Sequence, residues 1–235
     1  MKIVILWLFV PLAAWAQSVP PPKDYTLLGA GIRTRPEYDG SNSQRTDIIP
    51  VVRYYGRPWF ARTSQGILEG GARWKLAQGF DVGAQLAYEA GREAKNGLPE
   101  LDWGTSIGLH AEYERYIGPV PIDLLARLRQ YTDSDRGTQA DLRLTAGVYS
   151  GHGLLAGVFG QATWANAKSN RSFYAVNDGG LLFTSIGILG SYDLARHWVM
   201  TGSLEGRRLR GDAARSPITE RTSNHYASVG LAYRF

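Results

Sequence analysis

The sequence predicts an all-β chain, a transmembrane antiparallel up-and-down β-barrel of about twelve strands, with about ten as the fallback count. Three observations carry that expectation. Apolar residues recur with a period of two from residue 24 onward. The alternating segments run roughly 9–12 residues, the length a tilted strand needs to cross a bilayer. Long polar connections alternate with short ones containing Gly, Pro or Asp, as they do in bacterial barrels.

The alternation is plain in single segments. Over 80–90, Phe80, Val82, Ala84, Leu86 and Tyr88 share one face, and Asp81, Gly83, Gln85, Ala87 and Glu89 the other. Over 103–114, Ile107, Leu109, Ala111 and Tyr113 oppose Ser106, Gly108, His110, Glu112 and Glu114. A soluble sandwich alternates too, so strand length and aromatic placement decide. Trp74, Tyr88, Trp103, Tyr113, Trp164, Tyr192, Trp198, Tyr233 and Phe235 fall near strand ends, where interfacial girdles belong.

The strands are expected at 25–33, 45–55, 58–64, 66–76, 80–90, 103–115, 121–131, 139–149, 153–164, 181–192, 197–208 and 224–235. The third and fourth are the least regular, with Pro58 at the start and a very short connection between them. An even count puts both termini at one end, expected to be periplasmic. The region 25–235 then forms one barrel.

The N-terminus follows a different rule. Lys2 precedes an apolar run from Ile3 to Leu12, and Ala14-Trp15-Ala16 follows. This is the order of a cleavable secretory signal over 1–16, with cleavage expected before Gln17. The apolar run falls short of the ~20 residues that span a bilayer as a helix. Residues 17–24 hold Pro20-Pro21-Pro22 and read as a stiff periplasmic lead-in. A signal followed by barrel-length strands implies the outer membrane of a Gram-negative cell, with its lipid and lipopolysaccharide as surroundings.

Composition excludes several chemistries. The 235 residues contain no Cys, so a disulfide framework, a thiolate metal site and a Cys nucleophile are all ruled out. The formal charge of +5 is scattered along the strands with acids close by, so it marks no nucleic-acid surface. The expected lumen is charged. Arg53, Glu69, Arg73, Lys75, Asp81, Glu89, Glu112, Glu114, Asp123, Arg127, Arg129, Asp141, Arg143, Glu205, Arg207 and Arg234 all fall on the polar face. Buried charges must pair or stay wet, because an unpaired one costs several kcal/mol. A cross-linked plug is the favoured reading and a pore lined by Arg and Glu the sharper alternative. In the plug, Asp123, Asp141, Glu112 and Glu114 are the expected partners of Arg127, Arg129 and Arg143.

No catalytic constellation emerges, nor any cofactor or metal site. His225 and Ser228 are three apart in a strand and therefore on opposite faces. His110 faces inward near Ser106 and Glu112, with no Ser on another strand identified for it. His152 and His197 fall in short turns, and four scattered His give no ligand spacing. A lipid-modifying enzyme is thus the weakest of the functional readings.

Several local stretches carry a resemblance. Gly29-Ala30-Gly31 leads to Pro36-Glu37-Tyr38-Asp39-Gly40-Ser41, and Pro50-Val51-Val52-Arg53-Tyr54-Tyr55-Gly56-Arg57 precedes Trp59-Phe60-Ala61. Gly211-Asp212-Ala213-Ala214-Arg215-Ser216-Pro217 and the terminal Gly230-Leu231-Ala232-Tyr233-Arg234-Phe235 complete the set. Together these resemble the MipA/OmpV family of outer-membrane proteins, named for interaction with the lytic transglycosylase MltA. The resemblance implies an outer-membrane barrel that scaffolds a lytic transglycosylase and a murein synthase. Other members imply a porin-like channel or a surface adhesin.

Overall fold

A computed structural model of the chain describes residues 25–89, 91 and 100–235. The expected signal at 1–16 and the lead-in at 17–24 lie outside the described residues. Twelve strands close into one antiparallel barrel in strict sequence order. They are β1 (Leu27–Pro36), β2 (Gln44–Tyr55), β3 (Trp59–Ser64), β4 (Ile67–Ala77), β5 (Phe80–Glu89), β6 (Gly104–Ile117), β7 (Val120–Tyr131), β8 (Thr138–Gly151), β9 (Leu154–Ala165), β10 (Gly180–Asp193), β11 (Trp198–Leu209) and β12 (Ser223–Arg234). A helix, α1 (Ala167–Tyr174), lies between β9 and β10. No described helix is long and apolar enough to cross a membrane.

The period-two pattern sets an inverted burial. Ile107 is 57% exposed and Ile186 75% on the outer face, while His110 on the inner face is 5% exposed. A soluble sheet would bury the isoleucines; only a wall bathed in lipid exposes them and hides the charges. Exposed aromatic residues gather at both rims. Trp59, Trp74, Tyr116, Tyr192, Trp198 and Phe235 ring the end that carries the short turns, and Tyr88, Trp103 and Trp164 ring the other. Tyr88 stacks on Trp103 with centroids 5.8 Å apart.

The barrel closes where β1 meets β12, from Leu27 opposite Arg234 to Thr34 opposite Ala227. Closure removes two edges whose backbone groups lipid could not satisfy. The seam needs close approach: Gly31 faces Gly230, and a Cβ on Gly31 would sit 2.5 Å from the Val229 carbonyl oxygen. Both described chain ends therefore lie at the short-turn end.

β3 departs from the expected strand length. It has six residues and pairs with β2 over only three, Arg53 to Tyr55. Above that point no described strand hydrogen-bonds the β3 side of β2. The side chain of Thr63 covers part of the gap, donating from Oγ1 to the Pro50 carbonyl at 2.8 Å and accepting from the Val52 amide at 3.3 Å. Pro50 lacks an N–H on that same side, which suits a strand edge without a partner. The β3–β4 connection, Gln65-Gly66, is thus a tight turn at the end where the other connections are long. It does not reach the rim but turns into the lumen.

The stretch 165–180, expected as a polar loop, contains α1 instead. Asn166 caps it, accepting from the Ser169 amide at 2.9 Å. Tyr174 packs with Ala165, Leu182, Phe183, Leu209 and Ala213 in a small apolar cluster at the loop end. Capping plus one apolar face suffices for two turns of helix, a signal too short to show as a period of 3.6.

Candidate functional site, a sealed lumen above an open chamber

The lumen is divided. Towards the loop end, charged side chains and loops fill it. Arg62 on β3 donates from Nε to Glu69 at 2.5 Å and from Nη1 to Glu112 at 3.2 Å. Glu69 also accepts from Arg127 at 3.1 Å and from Gln85 at 2.8 Å. Arg127 continues to Asp141 at 3.4 Å, and Arg129 meets the same carboxylate at 3.0 Å. Thr163 donates to Asp141 at 2.7 Å. The chain of charge thus ties β3, β4, β6, β7, β8 and β9 together. The side chain of Glu69 is wholly shielded and those of Arg127 and Asp141 are 1% exposed. Charges this deep are tolerable only when paired, as each of these is, although Nη2 of Arg62 and Nε of Arg127 are buried without a hydrogen bond.

The plug expected from sequence is present, with partners partly exchanged. Asp141 does serve Arg127 and Arg129, but Glu112 serves Arg62, and the carboxylate between Arg62 and Arg127 is Glu69. Arg143, expected to hold an acid, instead contacts Ser64 Oγ at 3.4 Å and lies over the face of Phe159 at 4.1 Å. Arg62, Ser64 and Gln65 were missed in the sequence because β3 is too short to display alternation.

The turned-in hairpin completes the seal. Gln65 donates to Glu205 on β11 at 3.1 Å, and Ser64 contacts Arg143 on β8. Glu205 also accepts from Arg207 at 3.1 Å, and Arg207 binds Asp39 of the β1–β2 loop at 2.6 Å. Above this, the loops interlock. Tyr38 donates its hydroxyl to the Ile218 carbonyl at 2.7 Å, and Asn224 bridges the Gly40 amide and the Ser41 carbonyl at 2.8 and 2.9 Å. The Gly40 carbonyl accepts from the amides of Glu220 and Arg221. The Pro36–Ser41 and Gly211–Pro217 stretches therefore belong to two loops that lock onto one another.

Towards the turn end, the lumen opens into a chamber of about 1840 Å³. Arg33, Arg53, Lys75, Glu114, Asp123, Arg143, Glu205 and Tyr226 are among its lining groups. Small inward residues such as Gly157, Ser191, Ser203 and Ser228 leave the space. The carboxylates of Glu112, Glu114 and Asp123 come within 4.8 Å of one another on the β6–β7 wall. A carboxylate cluster with Arg62 already on one member defines no metal centre by itself.

The histidines assemble no nucleophile pair among the described residues. His110 lies edge-on to Phe60 with centroids 5.1 Å apart, and its Nδ1 has no hydrogen-bond partner. Gly83, directly opposite, makes room for the ring; a Cβ there would meet His110 Cε1 at 2.4 Å. His225 faces outward while Ser228 faces inward, bonded to Ser203 at 2.8 Å. His152 contacts the Tyr149 hydroxyl in a turn, and His197 contacts the Arg234 carbonyl and stacks on Tyr233.

Fold and lumen define a transmembrane β-barrel of outer-membrane type whose bore is crossed by a buried ion network on one side and widens into a chamber on the other. The chain belongs to the MipA family, described as MltA-interacting protein MipA, whose model matches residues 28–235. Among curated proteins none matches it. In fold it is similar to an outer-membrane channel from Pseudomonas putida F1, at 12% identity and a TM-score of 0.57 over 93% of this chain and 98% of that one. It is also similar to the NanC porin, at 11% identity and a TM-score of 0.54 over 89% of this chain and all of the other.

Proposed function

We propose that the barrel resides in the outer membrane with its turn end and both termini in the periplasm, and acts there as a structural scaffold, closed to through-flow. The observation that carries this reading is the asymmetry of the lumen: a buried ion network and locked loops on one side, an open chamber on the other. A barrel sealed against the exterior offers function only at its turn end. The surface there is made of short connections such as Gly118-Pro119 and Leu194–His197. The family's name supports a lytic transglycosylase as one partner, and a murein synthase joined to it is the partner pair proposed. Residues 1–16 would direct export and then be removed. Lipid and lipopolysaccharide would surround the wall, and no catalytic role is proposed.

Crosslinking in intact envelopes, with mass spectrometry of the captured proteins, tests the scaffold directly. Capture of peptidoglycan enzymes through the turn end is the expected result; capture of none would overturn it. A second reading, a small-solute channel, has the chamber's size in its favour, and two similar barrels are described as a channel and a porin. Planar-bilayer recordings separate the two, since a scaffold should give small steps or none.

A further inference from the structure

Four of the lumen's guanidinium groups, on Arg62, Arg127, Arg129 and Arg207, hold carboxylates in the seal. Three others do not. Arg33, Arg53 and Arg143 all line the chamber, and no carboxylate of a described residue lies within 4.0 Å of any of them. Each is laid over an aromatic ring instead. Arg33 sits 5.2 Å from the Tyr226 centroid, Arg53 5.2 Å from Tyr25 and 5.3 Å from Tyr55, and Arg143 4.1 Å from Phe159.

That arrangement leaves hydrogen-bonding capacity unused. A ring beneath a guanidinium attracts its charge but takes up none of the in-plane N–H groups. Arg143 donates one long bond to Ser64, and its Nε is buried without a partner. The rings also fix the orientation of the planar forks, whose geometry matches a carboxylate or phosphate bidentately. A lumen built only as a plug would have paired these cations as it paired the other four.

Their positions follow the chamber's axis. Arg53 stands opposite Leu27, near the turn-end mouth. Arg33 is six residues further up β1, beneath the hairpin tip; a Cβ on Gly66 would lie 2.2 Å from its Nη1. Arg143 meets the same tip through Ser64. The hairpin thus roofs the chamber between two guanidiniums, with a third at the entrance. The volume of about 1840 Å³ exceeds the ~300–1,000 Å³ of an ordinary small-ligand pocket and admits a sugar or short peptide with its water.

We propose that the chamber is a binding site for a small solute carrying an oxyanion, a carboxylate or a phosphate, which enters at the turn end and docks on Arg33 and Arg143 after passing Arg53. The site does not depend on which proteins the barrel meets, nor on which compartment its turn end faces.

Calorimetric titration of the purified full-length mature barrel in detergent, with three matched probes, tests this. Glucuronate carries a carboxylate, glucose 6-phosphate a phosphate, and glucose neither. At least one charged probe should bind and glucose should not; which one binds identifies the oxyanion. Arg143→Gln and Arg33→Gln should each weaken binding about tenfold or more, the loss of a charge-assisted contact. Arg53→Gln, which leaves the roof untouched, should weaken it less, and Arg171→Gln on α1 should not change it. Heat-modifiable gel mobility establishes that each variant is folded. Equal binding of glucose and the charged probes, no binding of either charged probe, or unaltered affinity in folded Arg33→Gln and Arg143→Gln would overturn the proposal.

Discussion

Gln65, at the tip of the β3–β4 hairpin, donates to Oε2 of Glu205 on β11, 140 residues further along the chain, at 3.1 Å. Four strand positions of the barrel wall separate β3 from β11, so the contact crosses the lumen. It turns a short strand into a roof. Because β3 stops early, its turn is free to bend inward, and the polar tip finds partners that a rim loop could not reach. The seal and the chamber both follow from that one bend.

The seal should depend on Glu69 more than on any cation. Its carboxylate lies between Arg62 and Arg127 at 2.5 and 3.1 Å, so Glu69→Ala leaves two buried guanidiniums facing each other. Breaking a buried pair from one side costs about 3–5 kcal/mol. The variant should lose its heat-modifiable mobility at a lower temperature than wild type. In planar bilayers it should open in steps where the wild type shows few or none. Large, stable openings from the wild-type protein would contradict the seal.

The loop lock should be weaker and graded. Tyr38→Phe deletes one hydroxyl bond to Ile218 and should cost about 1 kcal/mol, seen as a shift of the urea midpoint. Arg207→Met removes ion pairs to both Asp39 and Glu205 and should loosen the loops enough for added protease to cut near residues 37–43. If Arg207→Met resists protease as wild type does, the lock does not rest on that cation.

Assembly should require close approach at the seam. Gly31→Val would set a branched side chain where even a Cβ comes within 2.5 Å of the Val229 carbonyl and 2.8 Å of the Gly230 Cα. Both obstacles are backbone, so neither can swing aside. Outer-membrane yield should fall severalfold while export continues. Normal yield would mean that β1 and β12 pair in another register.

The terminal strand should carry the same requirement. Tyr233 contacts Trp198 at 5.5 Å and Phe235 at 5.0 Å in the turn-end girdle, and the Phe235 amide donates to the Thr26 carbonyl at 3.1 Å. Deleting Tyr233 to Phe235 should cause periplasmic accumulation and degradation. Assembly at normal yield, with the mobility shift retained, would contradict the role of this strand in closure.

The alternation of side chains by itself determined the barrel and which face meets lipid, but left the count between ten and twelve until closure fixed it at twelve. A period of two assigns every residue a side, and lipid outside with charge inside leaves one consistent assignment. Arg127, Arg129, Asp141 and Glu205 were legible as lumen residues for that reason. Their partners were not, because pairing across a lumen depends on barrel radius, strand tilt and register, which no local pattern encodes. Arg62 and Gln65 stayed hidden on a strand too short to show a period. Asp39 and Tyr38 lay in a stretch recognisable by its residues but silent about what it touches. Only the closed tertiary structure decided that the lumen is sealed on one side and open on the other. That decision rests on how far one hairpin leans inward, a matter of contacts between residues distant in sequence.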